Sequence, residues 1–394
     1  MGLGVYMFLP SLKKLRNDIY FCIRCGFCRS VCPVVSEKDM EETVGPRGRM
    51  ILIRGLITGD VKPSIRVADK MYMCTGCAYC RLKCPPGLEV DNIVLAARRD
   101  LFSLGVPIPE GHLKVLSSLK SNENPFGELR SERNKWMRSL GGLAGTMPES
   151  SILYWVGCTT SYIAPNIASS MAGIFSKAGI SFKTLGASEK CCGYPYLLIG
   201  DEESFKENAK EVVEQISREG VDTVVVNCPG CYRTFTELYP KYVGSPPFKT
   251  LHSSQFIDSL IRDGRIKFSK PMNLRVTYHD PCDLGRHAGI YDPPRNVISS
   301  IPGVNLVEME RSKADARCCG AGGALRLAFP EVSTNIATTR IKLDVAPLDV
   351  EAIVTACPTC VRNLKDGVTI AEAIYDVRKV DVLDLVELVN NALG

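Results

Sequence analysis

The sequence predicts a mainly α-helical N-terminal domain followed by two copies of a parallel α/β domain. Three observations carry this reading. A four-cysteine run, Cys22-Ile-Arg-Cys25-Gly-Phe-Cys28-Arg-Ser-Val-Cys32-Pro33, returns as Cys74-Thr-Gly-Cys77-Ala-Tyr-Cys80-Arg-Leu-Lys-Cys84-Pro85. Every cysteine is displaced by the same interval, which marks an internal duplication. From Ser151 onward, short apolar and β-branched runs alternate with helical stretches, the pattern of a parallel α/β sheet. Within that part three signatures each occur twice and in order: Cys158 with Cys282, Cys191-Cys192-Gly193 with Cys318-Cys319-Gly320, and Cys228/Cys231 with Cys357/Cys360. The displacement between copies drifts by only a few residues, which loops absorb.

The totals agree with several domains. A chain of 394 residues is long for one core. Apolar residues make up 45% and charged residues 23%, an ordinary globular composition. The 18 cysteines are not ordinary and call for disulfides, metal ligands or redox groups. The apolar start Gly2 to Pro10 is short and lacks a basic segment before it, so it reads as a buried terminal segment and not as an export signal. A reducing cytoplasmic compartment is therefore expected, and metal sites are favoured over disulfides. No stretch reaches the roughly 20 apolar residues that span a bilayer. The net charge of +5 is uneven, with 22 Lys/Arg against 15 Asp/Glu in residues 1–150 and 26 against 28 thereafter. The basic excess suits compensation of thiolate-ligated clusters or an acidic partner surface, and no nucleic-acid partner is expected.

In chain order, residues 11–21 have helical apolar spacing and lead into the first cysteine run. Gly45-Pro46-Arg47-Gly48-Arg49 breaks the chain before an amphipathic helix through Ile51–Leu56, and a further helix is predicted from about Val90 to Leu104. Little strand signal precedes residue 110. Residues 111–150 read as a connector with a helix around Phe126–Leu140 and glycines at Gly141, Gly142 and Gly145. Strands are predicted at Ser151–Val156, Thr223–Val226, Leu274–Tyr278 and Glu351–Thr355, with helices at Asn166–Ala178 and from Asp201 to about Gly220. The predicted domains are residues 1–110, the connector 111–150, and α/β copies at 151–268 and 269–394.

The spacing C-x2-C-x2-C-x3-C-P resembles that of bacterial-type ferredoxins with two [4Fe–4S] clusters. Three cysteines at i, i+3 and i+6 on a tight loop each reach a different iron, and the fourth, beyond a helix-starting proline, serves the other cluster. The resemblance implies one cubane cluster on Cys22, Cys25, Cys28 and Cys84, and a second on Cys74, Cys77, Cys80 and Cys32. A zinc ribbon, with two C-x2-C pairs closing a tetrahedron, fits eight cysteines and trailing prolines poorly.

In each α/β copy, cysteines fall at or after the C-terminal ends of predicted strands, where open parallel sheets place ligand sites. An adjacent Cys-Cys is awkward for one tetrahedral zinc but suits a multi-iron cluster in which a thiolate bridges two irons. The glycine after it allows close approach or positive φ. The doubled pattern C…CCG…C-P-x-C, behind a two-cluster ferredoxin module, resembles the D subunit of heterodisulfide reductases. Further motifs carry the likeness: Val276-Thr-Tyr-His-Asp-Pro-Cys282, Leu284-Gly-Arg286, Pro294-Arg295, Ile301-Pro-Gly303, Glu308-Met-Glu310, Cys318-Cys-Gly-Ala-Gly-Gly323 and Asn124-Pro125-Phe126-Gly127.

That resemblance implies two noncubane [4Fe–4S] clusters. The first would rest on Cys158, Cys191, Cys192, Cys228 and Cys231, and the second on Cys282, Cys318, Cys319, Cys357 and Cys360. Relatives that hold zinc in one domain, or have lost one set, leave open that one cluster is replaced or missing. The implied activity is reduction of a small-molecule disulfide of the CoM-S-S-CoB type, with electrons from a membrane b-type cytochrome or a flavoprotein through the ferredoxin clusters. Attachment to the cytoplasmic membrane through that partner is part of the expectation. The Gly45-Pro46-Arg47-Gly48-Arg49 motif also resembles iron–sulfur subunits of FAD-linked glycolate, lactate and glycerol-3-phosphate dehydrogenases, which relay electrons to quinone without cleaving a disulfide.

The remaining polar residues have blander readings. His112, His252, His279 and His287 are too dispersed for a metal site of their own. His279 reads first as a satisfied polar residue at a strand end and second as a donor to a cluster sulfur or substrate thiolate. Lys190, Arg286 and Arg317 read as charge balance for adjacent ligands, ahead of substrate-anion binding. Thioredoxin-like chemistry at the C-P-x-C pairs is disfavoured by the repeated Cys-Cys-Gly. Gly320-Ala-Gly-Gly323 lacks the strand-to-helix setting of a nucleotide loop, and Trp136 and Trp155 read as structural.

Overall fold

The computed structural model describes residues 9–140, 149–268 and 270–394. Most of the apolar start at residues 2–8, and the glycines Gly141, Gly142 and Gly145, lie outside the described residues. The chain divides into two compact units, each made of three segments. One comprises residues 1–117, 195–205 and 317–337, the other residues 118–194, 206–316 and 338–394.

The first unit has no strand among its described residues. Its helices include Pro10–Lys14, Arg16–Phe21, Pro46–Thr58, Ile65–Tyr72 and Val90–Ser103. Proline occupies the first turn of Pro10–Lys14 and of Pro46–Thr58, where a missing N–H costs nothing. The Asp100 carboxylate accepts the Ser11 and Leu12 amides at 3.0 and 2.8 Å, satisfying the open start of the first helix. A small core of Val34, Val35, Val44, Leu325, Val332 and Ile336 joins the chain after the first cysteine run to the segment after Cys318-Cys319.

All strands among the described residues belong to the second unit. The first sheet is β1 (Ile152–Trp155), β2 (Thr223–Val226) and β3 (Lys249–His252), parallel and in that order. The second is β4 (Leu274–His279), β5 (Val304–Leu306), β6 (Ala352–Thr355) and β7 (Asp381–Asp384), parallel and ordered β5-β4-β6-β7. Their registers correspond. Ile152 pairs with Thr223 and Thr223 with Lys249, as Val276 pairs with Ala352 and Ala352 with Asp381. The central strands are continuously apolar because helices cover both faces. Val224, Val225 and Val226 are fully buried, as are Ile353 and Val354, and each such side chain stabilises the fold by roughly 1.5–3 kcal/mol.

The last strand of each copy runs into a helix with a capping box, begun by His252 in the first copy and Asp384 in the second. Helix Pro165–Lys177 of the first copy packs on Leu385–Leu393 of the second, and Ser253–Arg262 of the first packs on Asp292–Ser299 of the second. First-helix-on-last-helix packing, made twice, is what a pseudo-twofold pair of repeats produces.

The expected helical N-terminal part and repeated parallel sheets are present. The connector differs from expectation: it opens with an α-helix at Glu110–Asn122, and its second half is a 3₁₀ segment at Arg130–Leu140. Strands β3, β5 and β7 add to the four that the sequence predicts. Among the described residues no helix is long and apolar enough to cross a membrane.

Candidate metal centres

The structure gathers the eight N-terminal cysteines into two groups. Cys22, Cys25, Cys28 and Cys84 line one pocket. Cys32, Cys74, Cys77 and Cys80 line another. The fourth cysteine of each run thus sits with the first three of the other. Electrostatics show the same grouping. Burial, then the neighbouring Cys22, Cys84 and Cys25, pushes the Cys28 thiol up to about 12. Burial pushes Cys80 well up, with Asp91, Cys74, Cys77 and Cys32 adding to it. Burial and neighbouring thiols thus oppose ionisation of Cys28 and Cys80, and a multivalent cation among them would reverse that.

The Gly45–Arg49 motif gives one arginine to each cavity. Arg47 lines the first, with its guanidinium against Gly26 and paired to Glu42 at 2.7 Å. Arg49 lines the second, is 2% exposed, donates from Nε to the Lys70 carbonyl, and has Nη2 buried without a hydrogen-bond partner.

The first set of five later cysteines lies wholly in the sheet unit. Cys158 opens a short helix after β1, and Cys228-Pro229 opens another after β2. With Cys228 at the N-cap and proline at the first helical position, Cys231 falls within the first turn. The C-P-x-C spacing therefore places both sulfurs at a helix start. Cys191 and Cys192 follow a 3₁₀ turn at Gly186–Ser188 and not a strand.

The sulfurs lie close to one another: the Cys231 thiol donates to the Cys192 sulfur, and Cys191 interacts electrostatically with Cys158 and Cys192, as Cys231 does with Cys228. The Cys231–Cys192 sulfurs are 3.5 Å apart. All five thiols are free, and all but Cys228 are buried. Cys158 and Cys192 are pulled down, first by accepting from Cys191, while Cys191 and Cys231 are pushed up by donating. Gly193 has φ +81° and Gly320 +92°, and a Cβ on Gly320 would stand 2.4 Å from the Ser333 carbonyl oxygen, so the glycine after each Cys-Cys is required.

Glu189 ties two of the cysteine-bearing loops together. Its buried carboxylate accepts the Val156 and Gly157 amides at 2.9 and 2.8 Å, just before Cys158, while its own backbone leads into Cys191. Arg133 from the connector, 2% exposed, donates from Nη1 to Glu189 at 2.6 Å and from Nη2 to the Cys158 sulfur at 3.5 Å. Burial alone would push Arg133 down, but Cys158 and Glu189 hold it above its ordinary range. Burial pushes Glu189 up, against Arg133 and the two amides. The short contact to a group that stays protonated argues for an ionised carboxylate. Nothing in the spacing of the sequence pointed to Arg133 or Glu189.

In the second set, Cys282, Cys357 and Cys360 belong to the sheet unit, whereas Cys318 and Cys319 belong to the unit with the ferredoxin-type cavities. Cys357 caps helix Pro358–Tyr375, its sulfur accepting the Cys360 amide at 3.4 Å. The Gly320 amide donates to the Cys318 sulfur at 3.3 Å. A ring nitrogen of His279 lies within 4.8 Å of the Cys360 sulfur, and its Nδ1 is buried without a partner. Burial, with Arg340 second, holds His279 well below its usual pKa, so it is neutral. This differs from the satisfied residue expected at that strand end.

Between the two sets runs a polar bridge within the sheet unit. Arg233, two residues after Cys231, donates to the Tyr194 hydroxyl at 3.0 Å and to Asp283, next to Cys282, at 3.3 Å. Of the expected charge-balancing residues, Lys190 pairs with Glu123 and Glu211 at 3.0 and 2.7 Å, and Arg286 donates to the Ala314 and Ala316 carbonyls. His112 and His252 are buried and pushed down to about 4 by desolvation, so neither is a cation. Trp136 and Trp155 are buried against aromatic rings.

The donor set fits iron–sulfur chemistry. Soft thiolate sulfur dominates each group, and orphaned buried polar atoms cluster beside the cysteines: Arg133 Nε, Thr160 Oγ1 and Asn227 Nδ2 in the first set. Such atoms suit a bound group rich in hydrogen-bond-accepting sulfur.

Comparison with known proteins agrees. Residues 152–236 and 276–365 match the cysteine-rich domain family, CCG, and residues 18–88 match the 4Fe-4S dicluster domain. The chain is 33% identical to the D subunit of the dihydromethanophenazine:CoB–CoM heterodisulfide reductase of Methanosarcina barkeri, across 98% of this chain and 96% of that one. It is 29% identical to the B subunit of the fumarate reductase (CoM/CoB) of Methanothermobacter marburgensis, over 95% of this chain and 72% of that one. It is 27% identical to the EtfAB:quinone oxidoreductase of Syntrophomonas wolfei, over 93% of this chain and 58% of that one. Matched along nearly its whole length, the chain belongs to the family of heterodisulfide reductase D subunits, CCG-domain iron–sulfur oxidoreductases with an N-terminal two-[4Fe–4S] module.

Proposed function

We propose that this chain is the disulfide-reducing component of a multi-subunit complex, with two cubane clusters on the ferredoxin-type sets and a noncubane cluster on each five-cysteine set. The observation that carries this is the gathering of Cys158, Cys191, Cys192, Cys228 and Cys231, with the Cys231 and Cys192 sulfurs 3.5 Å apart. Five free thiols, four of them buried, supply enough soft ligands for a multi-iron group, and the sequence of the second copy repeats the same five positions. When bound, such clusters supply one-electron redox steps and iron atoms that accept substrate thiolates. The overall reaction, RS–SR′ plus two electrons and two protons giving RSH and R′SH, draws its electrons from a partner protein.

The partner docks where Cys25 is exposed. Phe21, Ile23 and Phe27 around it are 66, 64 and 62% exposed, beside the exposed Arg24. An apolar patch with a basic rim suits an acidic-rimmed electron donor, a membrane b-type cytochrome or a flavoprotein. Such a donor would hold the chain at the cytoplasmic membrane.

The second reading is an electron-transfer component of an FAD-linked dehydrogenase, with substrate chemistry on the partner. The likeness to the EtfAB:quinone oxidoreductase favours it. Anaerobic iron and sulfide analysis with a viologen-linked disulfide-reduction assay separates the two. About sixteen irons with disulfide turnover are expected from four four-iron clusters. Cys192→Ser is expected to abolish turnover and spare the ferredoxin-type EPR signals. About eight irons without turnover, and co-purification of an FAD-linked dehydrogenase, would favour the relay.

A further inference from the structure

We infer that Arg133 sets the reduction potential of the first five-cysteine site. The inference deepens the reading above and rests on its assignment of a cluster to Cys158, Cys191, Cys192, Cys228 and Cys231. Arg133 acts through the Cys158 sulfur and is a positioning residue.

The argument starts from the cost of burying the guanidinium. Arg133 is 2% exposed, cannot lose its proton, and forms an ion pair with Glu189, which is itself 1% exposed. The pair alone does not use the arginine's donors. Nη1 is spent on Glu189 and Nη2 on the Cys158 sulfur, while Nε is buried with no partner. The Tyr162 ring lies 5.2 Å from the guanidinium carbon, a further electron-rich neighbour. A cation placed this way has more donors than one carboxylate satisfies, and the unused capacity lies beside a proposed ligand sulfur.

The consequence is electrostatic. Adding an electron to a thiolate-ligated centre increases its negative charge. A fixed cation that hydrogen-bonds a ligating sulfur therefore stabilises the reduced form more than the oxidised form, and does so strongly where dielectric screening is low. Glu189 has the opposite sign. It holds the guanidinium in place and partly cancels its charge. The two residues make a pair of opposed controls, and this separates tuning from mere packing. A structural clamp would give both substitutions the same kind of defect, whereas tuning shifts the potential in opposite directions.

The test is an anoxic redox titration followed by EPR on the full chain, with the first-site signal defined as the one lost in Cys192→Ser. In Arg133→Gln the reduction equilibrium of that signal is expected to fall about tenfold, about 59 mV for one electron, at unchanged iron content. Arg133→Lys restores the charge and is expected to recover part of the shift. Glu189→Gln keeps the arginine, removes the opposing charge and moves the midpoint upward, so the inference stays testable where Arg133→Gln fails to load iron. Reduction equilibria within twofold of wild type in loaded variants, or downward midpoint shifts for both Arg133→Gln and Glu189→Gln, would overturn it. Should Cys192→Ser leave iron content and every signal intact, the ligand assignment itself fails, and with it the role given to Arg133.

Discussion

Replacing Arg98 offers a direct measure of how the helical unit is held together. Arg98 is 1% exposed, and its guanidinium donates to the carbonyls of Met71, Tyr72, Cys74, Leu198 and Gly323, with distances from 2.7 to 3.3 Å. These acceptors come from three separate segments of the same unit, and its ring neighbour Tyr72 donates to the Ile199 carbonyl at 2.7 Å. Arg98→Ala removes the charge together with its donors and leaves buried carbonyls short of partners. Each bond to a charged donor contributes about 1.5–3 kcal/mol and each stranded group costs about 1–3 kcal/mol, but these effects are not additive. A net loss of about 4–5 kcal/mol is expected, about a quarter or more of a typical domain's stability of about 5–15 kcal/mol. Differential scanning calorimetry of the loaded protein, with iron released on heating as a second probe, reads the effect. A unit of this size is expected to melt about 10–15 °C earlier. Because the Cys74 carbonyl is one of the acceptors, iron release should advance in step. Arg98→Lys, with three donors and no planar fork, should fall between. An Arg98→Ala protein melting within about 2 °C of wild type would refute the clasp.

Two further outcomes follow from the surface and the buried histidines. Phe27→Glu with Ile23→Glu should slow reduction by the physiological donor at least tenfold while reduction by a small dye is unchanged; equal slowing of both would mean damage to the cluster loop, not loss of docking. His252 is neutral because its Nδ1 accepts the Ser254 amide, and burial pushes its pKa down to about 4. The unfolded chain takes up this proton near pH 6.5 and the folded chain only near 4, so stability declines as pH falls through that window. His252→Asn, which keeps a capping acceptor but does not titrate, should flatten the decline seen by denaturant unfolding; an unchanged slope from pH 6.5 to 4 would exclude His252 as its source.

The parts legible in the sequence are those where chemistry fixes spacing. Strands β1, β2, β4 and β6 announce themselves because a strand covered on both faces reads as a continuous β-branched run. Strands β3 and β7 alternate exposed and buried positions and begin with Lys249 and Asp381, and β5 has only three residues, so none carries such a run. Helix Glu110–Asn122 left a readable trace, with buried His112, Val115, Leu116 and Leu119 at helical spacing, that the surrounding Gly and Pro obscured. The crossed grouping of the eight N-terminal cysteines is the one the resemblance to two-cluster ferredoxins implies. The loop-tying role of Glu189 does not, because it depends on where β1 ends in space.

The arginines show why the polar half of the candidate centres stayed hidden. Arg49, Arg98, Arg133 and Arg340 rank among the largest fully buried side chains, an unusual cost for any fold. In sequence each is one more basic residue in a polar stretch, and the regional excess of charge says only that compensation is needed somewhere. The structure separates their tasks. Arg98 is spent on carbonyls and Arg340 on Asp344 and the Met309 sulfur, whereas Arg49 lines a four-cysteine cavity and Arg133 reaches a cysteine sulfur. Arg49 lines its pocket with Nη2 buried and unpaired, and Arg133 has Nε buried and unpaired beside Cys158. A thiolate set gains negative charge as it ionises, and a cluster on it would gain more on reduction, so a buried cation there would, on the proposed assignment, bear on how readily the centre takes an electron. On the proposed assignment the cysteines would hold the cluster, and Arg133 from the connector would tune its potential through Cys158.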